Sequence, residues 1–207
     1  MTNVLLVEDS KITRDMVEGY IAKSQEYQLI TSLENAANAE IMCIKSNIDL
    51  ILMDVCTADD ESGIIAAAKI KKYNPNIKVI IMTSMPEYSF ITKAKAAGCD
   101  SFWYKEYGDT ELLDVMRRTM RGESVYPKES PDLQIGCADS SELTERELDV
   151  LRRLTIGDKY DEIAAYLGIT TNTVKYHITN MLAKTGYSNT LQLVVDVVRK
   201  GIVLPKY

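Results

Sequence analysis

Over roughly the first 120 residues, short apolar runs rich in Val, Ile and Leu alternate with stretches of helix length, and nothing else in the chain constrains its fold as tightly. The runs fall at 3–7, 28–33, 49–54, 77–83 and 100–104. Leu50-Ile51-Leu52-Met53 is apolar without interruption. A strand covered on both faces reads this way, whereas one wet on a single face alternates. Strand and helix repeated in turn close as a parallel sheet with helices on both sides. The predicted class is α/β, with a five-stranded, doubly wound parallel sheet.

The pattern fails after Arg121-Gly122. Residues 122–141 hold Pro127, Pro131, Gly136 and several Ser and Asp without apolar periodicity, which predicts a linker. From Leu143 the apolar spacing becomes helical: Leu148, Leu151 and Leu154, then Ile163, Ala164 and Leu167, then Val174, Ile178 and Met181. A further helix is expected near 190–200, giving a C-terminal all-α region of four helices. The expected organisation is one domain over 1–121, a linker over 122–141 and a second domain over 142–207, which suits a 207-residue chain.

Several function classes are excluded early. No apolar run approaches the roughly 20 residues of a membrane span, and the N-terminus enters a strand and then Glu8-Asp9 without the basic start of a secretory signal, so no membrane and a cytoplasmic location are expected. Cys43, Cys56, Cys99 and Cys137 lie far apart and read as reduced thiols. The single histidine, His177, removes schemes that need two imidazoles and reads as structural. The net charge of -6 is unevenly divided: from Ser140 onward nine Lys and Arg face eight Asp and Glu. A nucleic-acid contact there depends on a local basic face and on pairing two copies.

In an open parallel sheet, ligands bind beyond the carboxyl ends of the strands. Here those ends are polar: Glu8-Asp9 after the first run, Asp54 closing the third, Thr83-Ser84 the fourth, and Lys105 after the fifth. Three carboxylates on one rim repel unless a cation sits among them, and oxygen ligands suit a hard ion such as Mg2+. A lysine and a hydroxyl beside them fit a phosphoryl group carried on a carboxylate. Any one of these acids alone reads as a solvated loop residue or helix cap; four strand ends together read as a site.

With these residues, positions 1 to about 120 resemble the receiver domain of bacterial two-component response regulators, a flavodoxin-like fold. The resemblance implies that Asp54 accepts phosphate from a sensor histidine kinase and that Glu8, Asp9, Asp54 and the backbone carbonyl of Cys56 bind Mg2+. It makes Thr83 the switch hydroxyl, Lys105 the phosphate-pairing lysine and Phe102 the switch aromatic. The chain departs from the family where Thr57-Ala58 replaces the common Met-Pro, where Gly63 stands ninth after Asp54 instead of eighth, and where Asp59-Asp60-Glu61 adds acid. Glu106 stands where many receivers have proline, and Phe102 lacks a hydroxyl, so its switch reports by packing.

Thr144 followed by Glu147 predicts a capping box, and Gly168 with Thr170 predicts a tight turn between two short helices. On the next helix Asn172, Lys175, Tyr176 and Thr179 share the face opposite Val174 and Ile178. These side chains suit base edges and phosphates in a major groove, and the amides at 171–173 suit a phosphate; on spacing alone, a solvated helix face fits as well. The string Leu143-Thr144-Glu145-Arg146-Glu147, Ile163-Ala164, Leu167, Thr173-Val174-Lys175-Tyr176-His177 and Lys184 resembles the LuxR-type helix-turn-helix domain, so the whole chain is similar to response regulators of the NarL/LuxR type. The resemblance implies Lys175, Tyr176 and Thr179 at the groove with Asn172 and Thr173 beside them, and Asn180 and Lys184 near phosphates. Asn189 and Thr179 stand where basic residues are common, which lowers the affinity expected of one monomer. The last helix carries two apolar stripes, Leu191, Val194, Val195 and Val198 against Leu193 and Val197; one serves the core, and the other, if exposed, fits a homodimer contact.

The expected function is a DNA-binding transcriptional regulator that is not an enzyme, phosphorylated on Asp54 and binding promoter DNA as a dimer, with RNA polymerase as a candidate contact. The alternative is an atypical regulator indifferent to phosphate. A dehalogenase-like phosphatase is disfavoured because Cys56 stands where its second aspartate belongs, and a dinucleotide enzyme because no Gly-rich strand-to-helix turn occurs.

Overall fold

The structure, a computed structural model, describes residues 1–87, 89–106, 111–128 and 130–203, with Asp60 described in its backbone only. It separates into two compact units, Met1–Ser84 with Ser89–Glu129 and Met85–Tyr88 with Ser130–Tyr207.

The first unit runs β1 (Thr2–Val7), α1 (Lys11–Lys23), β2 (Tyr27–Leu33), α2 (Ala39–Lys45), β3 (Leu50–Asp54), β4 (Cys56–Thr57), β5 (Glu61–Ser62), α3 (Gly63–Tyr73), β6 (Lys78–Thr83), α4 (Ser89–Ala96), β7 (Ser101–Tyr104) and α5 (Leu112–Met120). Its five-stranded sheet has the order β2-β1-β3-β6-β7 with parallel pairing throughout. Alternation along the strands puts Val4, Leu6, Leu50, Leu52, Ile80, Met82 and Trp103 on one face, against Val17 and Ile21 of α1 and Leu112, Val115 and Met116 of α5. The other set, Leu5, Val7, Ile51, Met53, Val79, Ile81 and Phe102, is buried too, and α3 packs over β3 and β6. Each such side chain contributes roughly 1.5–3 kcal/mol by leaving water. The strand order reverses beside β1 and β3, so the crevice such sheets use for ligands opens at the ends of those two strands.

Each of the five strands begins within one residue of its sequence-predicted start and ends where predicted. The sequence did not disclose the small antiparallel pair β4 and β5, which brackets a 3-10 turn at Ala58–Asp60 with Asp59 at φ 61°. A non-glycine residue in that left-handed region needs support. Asn35 Nδ2 supplies it by donating to Ala58 O at 3.0 Å and Asp59 Oδ2 at 2.9 Å.

In the second unit, β8 (Gln134–Ile135) and β9 (Ala138–Asp139) precede α6 (Glu145–Ile156), α7 (Tyr160–Leu167), α8 (Thr171–Thr185) and α9 (Thr190–Arg199), the four helices among the described residues. Leu148, Leu151, Ile163, Ala164, Val174, Ile178, Met181, Leu193 and Val197 form its core with Ile135. Thr144 caps α6 in a capping box with Glu147, Gly168 ends α7 at φ 65°, and Thr170 and Asn189 cap α8 and α9. The stretch that composition reads as a linker is ordered at both ends. Val125 O accepts from Phe102 N at 2.8 Å. Gly136 takes φ 61° between β8 and β9, where a Cβ would lie 2.0 Å from Thr185 O; only glycine fits that approach.

Candidate functional site

Because β1, β3, β6 and β7 are parallel and in register, their carboxyl ends deliver side chains to one rim. Val7 pairs with Met53, Asp54 with Met82 and Thr83 with Tyr104. Glu8 is fully buried, Asp54 is 7% exposed and Asp9 is exposed, yet one carboxylate oxygen from each lies within 4.8 Å of the others. Lys105 reaches in beside them, its Nζ 2.5 Å from Glu8 Oε2 and 3.1 Å from Asp54 Oδ1. The Lys105 amide donates to Thr83 O at 2.9 Å, which fixes the end of β7 against the end of β6. Thr83 is buried at that rim.

The electrostatics follow from burial. Desolvation pushes the Asp54 carboxyl up to about 7, with Lys105 opposing the rise and Glu8 and Asp9 adding to it. Burial works against the Lys105 charge, but the Asp54 and Glu8 carboxylates outweigh it and hold the ammonium above its usual range. One ammonium among three acids leaves the rim short of positive charge. Three hard oxygen donors, one open to solvent, fit a divalent cation of the Mg2+ kind.

The backbone around Asp54 is tightly fitted. Asp54 Oδ1 accepts from Val55 N at 2.8 Å, and Val55 O accepts from Gly63 N at 2.9 Å. A Cβ on Gly63 would lie 1.8 Å from Asp54 O, so glycine is required where the start of α3 packs against the aspartate backbone. Cys56 lies two residues beyond Asp54 and is half-buried. Phe102 is buried on β7, edge-on to Tyr104 at 5.0 Å and tilted to Tyr126 at 6.3 Å. Sequence reasoning missed Tyr126, whose hydroxyl donates to Cys99 O at 2.8 Å and whose ring lies 5.0 Å below Lys95 Nζ of α4. It also missed Arg14.

On α8, Val174, Ile178 and Met181 are buried while Asn172, Lys175, Tyr176 and Thr179 are exposed. Thr179 Oγ1 donates to Lys175 O at 2.9 Å, and Thr173, half-buried, shares a hydrogen bond with the cap Thr170 at 2.8 Å. Asn180 is half-buried. The Lys175 ammonium has no hydrogen bond or ion pair among the described residues. Lys184 differs: its Nζ is bound to Glu147 Oε2 at 2.8 Å and Glu142 O at 2.9 Å. His177 is half-buried against Tyr176. On α9, Leu193 and Val197 enter the core, and Leu191, Val195 and Val198 form an exposed apolar stripe, Leu191 at 71% and Val195 at 57%.

Comparison with known proteins covers both units. The response regulator receiver domain model matches residues 4–117, and that of the bacterial regulatory proteins, luxR family, matches 141–197. The response regulator protein VraR of Staphylococcus aureus is 31% identical over 208 residues, 97% of this chain and 98% of VraR. RcsB from Salmonella enterica serovar Typhimurium, bound to promoter P1flhDC with the phosphomimetic BeF3-, shares the fold at a TM-score of 0.64 and 17% identity, covering 94% and 96% of the two chains. A structure of two RcsB dimers on two parallel DNAs gives 0.63 at 17% identity over the same coverage.

Proposed function

The chain belongs to the two-component response regulators that carry a LuxR-type DNA-binding domain, and from that premise we propose that Asp54 accepts a phosphoryl group from a sensor histidine kinase and so controls promoter binding through α8. As a member of that family it is a transcription regulator and not a catalytic enzyme. The proposed boundaries are a receiver over 1–121 and a DNA-binding domain over 142–207.

The observation that carries this reading is the convergence of Glu8, Asp9, Asp54, Thr83 and Lys105 on one rim. An Asp54 oxygen attacks the phosphorus of the phosphohistidine, an acyl phosphate forms, and the P–N bond to the imidazole breaks. Glu8, Asp9, Asp54 and the Cys56 carbonyl would hold Mg2+, which supplies positive charge to the phosphoryl oxygens. Lys105 pairs with one phosphoryl oxygen and the Thr83 hydroxyl donates to another. Drawing Thr83 toward the phosphate disturbs its β7 neighbour Tyr104 and the Phe102 ring packed on Tyr104. Phe102 in turn carries Val125 and Tyr126, within the segment that leads onward from α5, so repacking there is passed toward the second domain.

At the DNA, Lys175, Tyr176, Thr179 and Asn172 face the groove, with Thr173 and Asn180 flanking. A homodimer is supported by the exposed α9 stripe and by the weak net charge of one copy.

The test is intact-mass measurement after acetyl phosphate and Mg2+, with gel shifts on promoter DNA. Wild type should gain one phosphoryl group and bind DNA more tightly, and Asp54→Asn should do neither. Phosphorylation that leaves DNA binding unchanged would reduce the chain to a constitutive binder.

A further inference from the structure

Three loops meet around the acidic rim, and one side chain ties two of them. Arg14 lies in the first turn of α1, five residues past Asp9, so its guanidinium folds back over the turn that follows β1. Nη1 donates to Glu8 O at 2.9 Å and reaches Asp9 O at 3.5 Å, while Nη2 pairs with Glu34 Oε1 at 2.9 Å just beyond β2. The carbonyl of Glu34 accepts from Ala58 N at 3.0 Å, inside the turn that follows Asp54. A continuous belt of hydrogen bonds therefore joins the acidic pair, the end of β2 and the loop after the aspartate. Among the described residues, Arg14 gives no hydrogen to a carboxylate oxygen of Glu8, Asp9 or Asp54.

We propose that Arg14 is a positioning residue for the acidic site: braced on Glu34, it holds the Glu8 and Asp9 carbonyls and so sets where their carboxylates stand, leaving those oxygens for a divalent cation and the phosphoryl group. The assignment rests on the acidic site binding such a cation, as argued above. A planar guanidinium suits the task because its fork meets two partners in fixed directions, which an ammonium does not.

Charge and position predict opposite signs. A guanidinium acting only as a nearby positive charge repels a divalent cation, and its removal tightens binding. A guanidinium acting as a brace weakens binding when lost, by about 10- to 100-fold for outer-shell groups.

The experiment is a Mn2+ titration of the full-length protein, followed by the paramagnetic resonance signal of free Mn2+, for wild type, Arg14→Met, Arg14→Lys and Glu34→Gln. Arg14→Met should bind at least about tenfold more weakly. Arg14→Lys should recover only part of the loss, and Glu34→Gln should weaken binding although the guanidinium charge stays. Near-ultraviolet dichroism reports whether each variant is folded. If Arg14→Met does not fold, Arg14→Lys decides, because it keeps the positive charge and removes only the planar fork; binding by it as tight as wild type then overturns the assignment. Binding by Arg14→Met as tight as wild type, or tighter, overturns the assignment; so does unchanged binding by a folded Glu34→Gln. A wild type that fails to bind Mn2+ overturns the reading of the acidic site itself.

Discussion

Asp54 sits where a carboxylate loses its hydration before it gains enough positive charge, and that has a consequence for stability. Its carboxyl titrates near 7 in the folded state because of burial, against an ordinary carboxylate value near 4 in the unfolded chain. The folded state therefore holds this proton more tightly. The stabilisation is complete below about pH 4 and is lost as pH rises toward 7. Asp100, Glu147 and Asp196 act the other way: burial alone would raise each, but hydrogen bonds and ion pairs to lysines pull them below their ordinary value. Their contribution is in place above about pH 5, which leaves Asp54 to dominate the carboxylate contribution between there and 8. Without divalent cations, wild-type stability should fall over that interval. Asp54→Asn should fall less and be more stable at pH 8 by on the order of 2 kcal/mol, a gain trimmed because Lys105 loses one of its two partners. Urea unfolding of the receiver transition at pH 5 and pH 8 measures both, and parallel profiles for the two proteins would refute the argument. Glu8, Asp9, Asp54, Thr83 and Lys105 were legible beforehand because each closes or follows a strand. Arg14 was not, since its partner Glu34 lies twenty residues on and only the fold brings the two loops together.

At the level of elements, the helices were legible because apolar spacing and caps agree: Thr144 with Glu147, Gly168 and Thr170 all mark real ends, while the Asn189 cap of α9 emerged only from the structure. The pair β8 and β9 was not, because two residues per strand carry no period and Gly136 reads as a breaker until Thr185 O is found beside it. Nor did the periodicity of α9 say which stripe is core until its packing on α6 and α8 was known. The helix α8 poses a sharper question, since the sequence puts both Lys175 and Lys184 near DNA. Lys175 is exposed and its ammonium has no hydrogen bond or ion pair among the described residues, whereas Lys184 bridges the buried Glu147 and the Glu142 carbonyl, tying the end of α8 to the start of α6. Lys175→Ala should lower the salt dependence of DNA binding by about one counterion. Lys184→Met should leave that slope unchanged and cost about 1–2 kcal/mol of stability, less than a fully buried pair because the lysine is partly solvated. A lower slope for Lys184→Met would restore it to the phosphate contacts.

The whole molecule must bind a polyanion with a nearly neutral DNA-binding half, nine basic residues against eight acidic from Ser140 onward. One copy offering few phosphate contacts binds weakly, because affinity for the backbone scales with the number of charges neutralised. Two copies joined before binding turn the second contact into an intramolecular one, which gains about 100-fold or more when the geometry matches the site. Leu191, Val195 and Val198 expose an apolar stripe on α9 while Leu193 and Val197 hold the same helix in the core, so the stripe can be altered without emptying the domain. Val195→Glu puts a charge in its centre, and burying that charge against a second copy costs more than the stripe gains. The variant should fold and accept phosphate on Asp54 at the wild-type rate. It should remain monomeric in sedimentation and lose about 100-fold in affinity for a two-half-site promoter, with a far smaller loss on a single half-site. An equal loss on both sites would place Val195 in the DNA contact or the core instead of between two copies.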